Sequence, residues 1–377
     1  MYLKNIIRGD NCMKKLYIEA PCFGFGPVST SLAIAKKMEK EYEIIFITYG
    51  EALDYLKECT SYKYYEIDTR SEQGFYDLLK IITLDDYIIV NTNVELSCFL
   101  LEREYKVLVI DTLYWMWNQV PEEYTKNQNI IAQVYFGRGI GQLPPKEECK
   151  PIIDYNVWKK SEVKNSDCAL ISFGGMSEPA DSNFILASAQ LILDKIVTNL
   201  PDNVKIVYVL GGLFPKRKYE FNNKCVEVLG TVNNVKHREL VEECKYLFYS
   251  PGLTSLYEML SSERLVCLLP GLCVSQIYQI YDFHNYFEYP HCIMWKEYEE
   301  LINHFDEMPE LEGLAYLHDY LLNHASLNDI DIQAIISEYA YAVDHGVNGV
   351  QKEKRYKIFN CKSVDELVPL YLNSMDK

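Results

Sequence analysis

Short apolar runs of strand length recur along the first part of the chain, separated by longer stretches in which apolar residues return every three or four positions. The runs are Lys15–Ala20, Tyr42–Thr48, Tyr64–Asp68, Asp86–Asn91, Lys106–Ile110 and Ile130–Phe136. This alternation predicts parallel strands joined by crossover helices. Between the first two runs, Leu32, Ile34, Ala35 and Met38 fall on or near one face of a helix predicted over Ser29–Glu41, so the chain opens as a βαβ unit. The stretch Gly139–Lys164 is polar, contains Pro and Lys, and has little periodicity, which marks a boundary. The pattern then restarts with Asp167–Ser172, a Gly-Gly turn, a long helix to about Asn199 and the strand Val204–Leu210. Further strands are expected at Cys225–Leu229, Tyr246–Tyr249 and Leu265–Leu269, and an acidic, aromatic and mainly helical region from Asp306 onward. The expected fold class is therefore α/β, with two doubly wound, Rossmann-like domains over residues 13–150 and 165–345 and a helical tail over 346–377. The segment Val364–Asn373 is expected to pack back across the hinge. Met13-Lys14-Lys15 reads as a natural start, leaving residues 1–12 as an extension.

Composition narrows the classes of function. The 377 residues exceed what one hydrophobic core usually fills, in keeping with two domains. Lys and Arg number 37 against 54 Asp and Glu, a net charge of −17, and such a surface repels a phosphate backbone, so nucleic acid is not an expected partner. The 12 cysteines include no C-x-x-C pair and the 7 histidines no zinc-like spacing, so no metal site is expected. Cys98, Cys168 and Cys267 lie in apolar runs, where a reduced thiol acts as a small buried hydrophobe, and this suits the cytoplasm. No stretch reaches the roughly 18 apolar residues of a membrane helix, so no integral span is expected.

Three clusters carry candidate chemistry. Gly24-Phe25-Gly26-Pro27-Val28-Ser29 follows a strand and opens a helix, where backbone NH groups face an anion. It holds two of the three glycines of a dinucleotide fingerprint, with Ser29 in the third place, and Glu51 near the end of the next strand keeps a nicotinamide site open. A turn lining an acceptor cleft and a bare structural turn fit the same residues. The second cluster, Ser172-Phe173-Gly174-Gly175, offers a side-chain-poor turn to a phosphate or sugar, or simply a turn. The third runs Tyr249-Ser250-Pro251-Gly252-Leu253-Thr254-Ser255-Leu256-Tyr257-Glu258, followed by an apolar strand ending at Pro270 and by Ser275-Gln276 and Gln279. Thr254 or Ser255 is expected to cap a helix whose positive end holds a diphosphate. Glu258 then either accepts hydrogen bonds from both ribose hydroxyls or closes a capping box with Ser255. His237, His284 and His291 are each read as surface or satisfied core residues. No G-x-x-x-x-G-K-[ST], G-x-S-x-G or H-E-x-x-H occurs, which removes support for P-loop enzymes, elbow hydrolases and zincins.

The order of Gly-Gly turn, P-G-x-T-S-x-x-E, apolar strand and glutamine segment resembles the donor half of GT-B glycosyltransferases, over about residues 167–290. The resemblance is to the branch holding the small-molecule UDP-glycosyltransferases and the undecaprenyl-diphospho-muramoylpentapeptide glucosaminyl transferase. It implies GT-B architecture and transfer from a nucleoside-diphosphate sugar, UDP- or dTDP-linked, to a hydroxyl or other nucleophile of a small-molecule or lipid-linked acceptor. Inversion and no cofactor beyond the donor are implied as well. By position, Glu258 would hold ribose, Thr254 and Ser255 the diphosphate, and Ser172 and Gly174 the same pocket. Gln276 or Gln279 would meet the donor sugar, and the base would lie against Gly230–Val235. The chain departs from the family at Pro251-Gly252, where Gly-Gly is common, at Ser275-Gln276, where Asp-Gln is common, and at Pro27-Val28, where a catalytic His often follows the turn. Asp111, at the end of the Val107–Ile110 run, is the substitute base by its place at a strand's C-terminal end, or else a structural Asp. Leu113-Tyr114-Trp115-Met116-Trp117 is an acceptor wall or a piece of core. A UDP-GlcNAc-type sugar-nucleotide epimerase, an NAD-dependent oxidoreductase and a silent nucleotide-sugar-binding protein remain alternatives.

Overall fold

The computed structural model describes residues 13–117, 120–137, 147–160, 166–174, 182–308, 310–323, 326–347 and 349–376. The chain begins β1 (Lys14–Glu19), α1 (Gly26–Met38), β2 (Tyr42–Thr48), α2 (Gly50–Cys59), β3 (Lys63–Glu66) and α3 (Glu72–Leu78). It continues with β4 (Tyr87–Asn91), α4 (Val94–Leu101), β5 (Lys106–Asp111), α5 (Glu122–Lys126), β6 (Ile130–Gln133) and β7 (Glu147–Cys149). These strands form one parallel sheet in the order β3-β2-β1-β4-β5-β6-β7. The chain works outward from β1 to β3 and then returns to place β4 on the other side of β1, which puts the switch point between β1 and β4.

The second half contains β8 (Ser166–Ser172), α6 (Ser182–Asn199), β9 (Ile206–Leu210), β10 (Arg217–Phe221), β11 (Lys224–Gly230) and α7 (Asn234–Glu243). Next come β12 (Cys244–Tyr249), α8 (Leu253–Ser262), β13 (Cys267–Leu268) and α9 (Val274–Phe287). The chain closes with α10 (Tyr298–Glu307), α11 (Glu310–Asn323), α12 (Asp329–Asp344), α13 (Lys352–Phe359) and α14 (Val364–Ser374). The second sheet has the order β10-β11-β9-β8-β12-β13, with its switch point between β8 and β12. All its pairs are parallel except the β10–β11 hairpin, whose two-residue turn, Asn222-Asn223, has φ of 49° and 58°. Both turn residues lie in the left-handed region that such tight hairpins require and that Asn tolerates.

Each sheet is covered on both faces, so its strands read as continuous apolar runs. In the first, Leu16, Ile18, Phe46, Leu108 and Ile110 enter one hydrophobic layer and Tyr17, Ile45, Ile47, Val107 and Val109 the other. In the second, Ala169, Ile171 and Phe248 face one layer and Cys168, Leu170 and Leu247 the other. The expected pair of doubly wound domains is therefore what the chain builds. The aromatic run is core: Trp115 and Met116, which follow β5, pack into a layer of the second sheet, and Trp115 stacks on Tyr135 at 4.1 Å and 5°.

The C-terminal segment returns to the first sheet. Val364, Leu367, Val368 and Leu372 of α14 bury in the same layer as Leu16 and Ile110, and Asp376 pairs with Lys14 and Lys106. Because α14 covers the sheet from outside, its neighbours can partly close a void left beneath it. Leu372→Ala is therefore expected at the low end of the usual cost, about 2–3 kcal/mol, read as a lower denaturation midpoint.

Candidate active site

The two switch points open onto one cavity of about 240 Å³. On the first domain's side it is bounded by the loop after β1 and the start of α1, by Tyr55 of α2, by Thr92 just beyond β4, and by Thr112 and Leu113 just beyond β5. On the other side lie Ser172 and Gly174 after β8, Gly230 and Val232 after β11, and the first turns of α7, α8 and α9. Gly24 and Gly174 hold φ of +66° and +70°, a backbone conformation that costs a side-chain-bearing residue about 1–2 kcal/mol. A Cβ on Gly26 would stand 3.4 Å from the Thr254 hydroxyl oxygen, so the starts of α1 and α8 face each other at close range.

Helix ends supply the positive character of this cavity. The residues preceding α1, α8 and α9 are Phe25, Gly252 and Cys273, and none of the three helices has a side-chain cap. Their first-turn NH groups, which exclude Pro27 of α1, are thus free to meet an anion, with the helix dipoles adding to the attraction. By contrast α7 is closed by Asn233, which accepts from the Lys236 NH. The expectation that Thr254 or Ser255 caps α8 is corrected: the helix starts at Leu253, so both hydroxyls sit inside its first turn. For the same reason Ser255 and Glu258 form no capping box. The predicted helix after the first glycine cluster likewise starts earlier, at Gly26, with Pro27 in its opening turn.

Glu258 lines the cavity from the second turn of α8 and is only 4% exposed. Burial raises its pKa to about 8. Among the described residues no cation pairs with it. His237, also at the cavity, bonds through Nε2 to the Tyr249 hydroxyl at 2.7 Å, and burial lowers its pKa to about 4, leaving a neutral imidazole. The two glutamines differ. Gln276 Oε1 is taken by the Leu272 NH at 2.8 Å, whereas Gln279 is buried with Oε1 unpartnered.

The sequence-predicted residues Gly24, Gly26, Ser29, Ser172, Gly174, Gly252, Thr254, Ser255, Glu258, Gln276 and Gln279 all line this cavity. Gly175 lies outside the described residues. Glu51 sits in the first turn of α2, away from the cavity lining. Asp111 is the displaced one. Adjacent residues at a strand end project to opposite sides, and here Thr112 faces the cavity while Asp111 is fully enclosed. Its Oδ2 accepts from Trp117 Nε1 at 2.7 Å and from the Tyr124 hydroxyl, and its Oδ1 from the Leu113 NH at 2.9 Å. Burial raises its pKa to about 6. A carboxylate so occupied ties the β5 exit loop to Trp117 and Tyr124 and does not line the cavity.

Sequence reasoning missed Thr92, Thr112 and Tyr55. The strand-end rule that singled out Asp111 could have found Thr112 one residue on and Thr92 at the parallel position after β4. Tyr55 stacks on Phe25 at 5.0 Å and its hydroxyl donates to Asn234 Oδ1 at the start of α7, joining the domains across the cavity. Only the three-dimensional approach of the domains reveals that contact.

Two Rossmann-like domains whose switch points share one cavity define the GT-B fold, and the comparisons bear this out. No protein-family model matches the sequence, and no curated protein does. Among solved structures the chain is similar to the spinosyn rhamnosyltransferase SpnG in complex with spinosyn aglycone, at 10% identity over 94% of this chain and 99% of that one, TM-score 0.54. It is similar to the calicheamicin glycosyltransferase CalG4, at 10% identity over 97% and 100%, TM-score 0.54. A third is a UDP-glucosyltransferase from Polygonum tinctorium capable of glucosylating indoxyl, at 10% identity over 96% and 99%, TM-score 0.52. At these identities the likeness establishes the fold.

Proposed function

We propose that this protein is a glycosyltransferase that binds a UDP- or dTDP-sugar against its second domain and transfers the sugar, with inversion, to an acceptor held by the first. The observation that carries the reading is the meeting, in one cavity, of three uncapped helix starts with a buried carboxylate that no cation among the described residues neutralises. An anion at the helix starts and a pair of hydroxyls at Glu258 are what a nucleoside diphosphate brings together. On this reading the amides and hydroxyls of Thr254 and Ser255 hold the diphosphate and offset the charge that builds on it as it leaves. The base lies against Gly230–Val232, and Gln279, with its free Oε1, meets the donor sugar. The acceptor is a small molecule, the class on which SpnG and CalG4 act, and the reaction runs in the cytoplasm. Glu51 lies away from the cavity, which weighs against a nicotinamide site built from it and the Gly24 turn.

Thermal unfolding with UDP, dTDP, GDP or NAD tests the donor site. At about one hundred times its dissociation constant a true ligand adds about 2.7 kcal/mol, a shift of several degrees. UDP or dTDP is expected to give it; a shift with NAD alone, or with none of the four, overturns the reading. Product analysis then separates transfer from its alternatives, since an epimerase isomerises the donor with no acceptor consumed and a silent binder changes neither.

A further inference from the structure

A second pocket, of about 150 Å³, opens at the other end of α8 from the active-site cavity. Its walls are the last turn of α8, the segment leading into β13, Tyr289 beyond α9 and the loop from α12 into α13. A Cβ on Gly349 would stand 2.3 Å from Leu265 Cδ1 and 2.5 Å from Tyr289 Cε2, so the loop backbone is pressed directly onto this wall. The Tyr289 ring is fixed in turn, its hydroxyl donating to the Val266 carbonyl and accepting from the Val266 NH. The pocket is thus preformed.

Four cations and one carboxylate line it: Lys160, Arg264, Lys352, Arg355 and Glu263. Glu263 accepts from Lys160 at 2.9 Å and from Arg355 at 2.7 Å, so two cations share a single negative charge. The carbonyl end of α8 adds the equivalent of about half a negative charge. Arg264 and Lys352 stand beyond that balance. The Arg264 guanidinium donates to the carbonyls of Val241, Cys244 and Lys245, which orient it without neutralising it, and burial lowers its pKa. Lys352, exposed in the first turn of α13, pairs with no carboxylate among the described residues. Counting Glu162, from the undescribed stretch that follows Lys160, against them still leaves positive charge in excess. In a chain of net charge −17 this pocket is a place where anions are attracted rather than repelled.

Charge and donor geometry select the anion. A phosphate monoester carries about −1.5 to −2 charge at pH 7 and three acceptor oxygens, which answers an excess of about two charges spread over guanidinium and ammonium donors. A carboxylate brings half that charge and one oxygen fewer. The remaining lining includes Leu265, Val347 and Val350, apolar contacts for a short carbon skeleton. We propose that this pocket is a second ligand site, separate from the active-site cavity, that binds a phosphate monoester group between Arg264, Lys352 and the paired Lys160 and Arg355. The proposal is independent of the glycosyltransferase reading.

Titration calorimetry in chloride buffer, with glycerol 3-phosphate as the probe, tests it. Glycerol 3-phosphate is expected to bind with a dissociation constant of about 1 mM or below, and acetate at least about tenfold more weakly. Lys352→Glu is expected to weaken glycerol 3-phosphate about tenfold or more, with the unfolding midpoint nearly unchanged because the side chain is exposed and makes no ion pair among the described residues. Should the charge reversal disturb folding, Lys352→Gln gives the same comparison with a smaller loss. Phosphate bound at the active-site cavity instead is indifferent to either substitution. The proposal is therefore overturned if both variants bind glycerol 3-phosphate as the native chain does, or if acetate binds equally well. Phosphatidylcholine vesicles with and without phosphatidic acid identify the source of the group. Pelleting of the native chain, but not of Lys352→Glu, with the phosphatidic acid vesicles assigns a lipid headgroup; binding of glycerol 3-phosphate without pelleting assigns a soluble ester. Binding of neither overturns the proposal, and leaves the response to UDP or dTDP in the unfolding experiment untouched.

Discussion

Glu258→Gln is expected to raise the unfolding temperature of the ligand-free protein by several degrees and to weaken binding of the donor about a hundredfold or more. Both effects come from one buried carboxylate. Its pKa stands at about 8 in the folded chain against about 4.5 ordinarily, because burial disfavours the charge. The folded state therefore holds a proton that the unfolded state has lost across that interval, and stability falls as pH rises from about 4.5 to about 8. At pH 7 the cost is on the order of 3 kcal/mol, and an uncharged amide of nearly the same shape removes it. Glu19, raised by burial to about 7, slopes the same way. His237 slopes the other way at lower pH, because a pKa of about 4 costs stability as pH falls below about 6.5. Unfolding followed from pH 6 to 8 should thus show declining stability in the native protein and a flatter profile in the glutamine variant. Donor binding has the opposite sign. If ribose hydroxyls donate to the ionised carboxylate, as proposed, affinity should climb with pH and level off near 8. Losing two charge-assisted hydrogen bonds at about 1.5 kcal/mol or more each accounts for the hundredfold. A variant less stable than the native chain would overturn the cost assigned to the buried carboxylate, and one that binds donor as well would remove Glu258 from donor binding.

The two-domain fold is legible in the sequence and the cavity lining only in part. Strands buried on both faces leave continuous apolar runs, and β1, β2, β4, β5, β8, β9 and β12 were all readable that way. β10 was not, because Arg217-Lys-Tyr-Glu-Phe is a mostly polar edge strand defined by its Asn-Asn turn and its partner. β7, three residues long, lies inside the stretch whose lack of periodicity marks a boundary. On the second domain's wall of the cavity the lining residues are clustered in sequence, since helix starts follow strands directly, and Ser172, Gly252, Thr254 and Glu258 are singled out together. The first domain's wall is assembled from separate loops. Thr92, Thr112 and Tyr55 carry no local signal beyond their distance from a strand end, and the left-handed backbone of Thr92 is set by tertiary contacts. The strand-end rule points to Asp111 and Thr112 alike, and the two-residue period of the strand decides which of them faces the cavity.

The same geometry makes Asp111→Ala a loss of stability. Without the carboxylate, Trp117 Nε1, the Tyr124 hydroxyl and the Leu113 NH lose their acceptor together. A buried donor left unpaired costs about 1–3 kcal/mol, so three of them outweigh the relief of removing a carboxylate whose pKa burial has pushed up to about 6. The net expectation is a loss of about 4 kcal/mol, seen as a large drop in the denaturation midpoint. Asp111→Asn separates this role from catalysis. With its amide oxygen at the Oδ2 position it still accepts from both Trp117 and Tyr124, while its NH2 takes the Oδ1 position, which leaves the Leu113 NH as the main loss and a cost of about 1–2 kcal/mol. Were Asp111 the general base, the asparagine variant would lose transfer by a factor of about 10²–10⁴ while remaining folded. With Asp111 acting through the β5 exit loop, the folded asparagine variant should keep donor affinity and lose less than about tenfold in transfer, because Thr112 stays where the loop holds it.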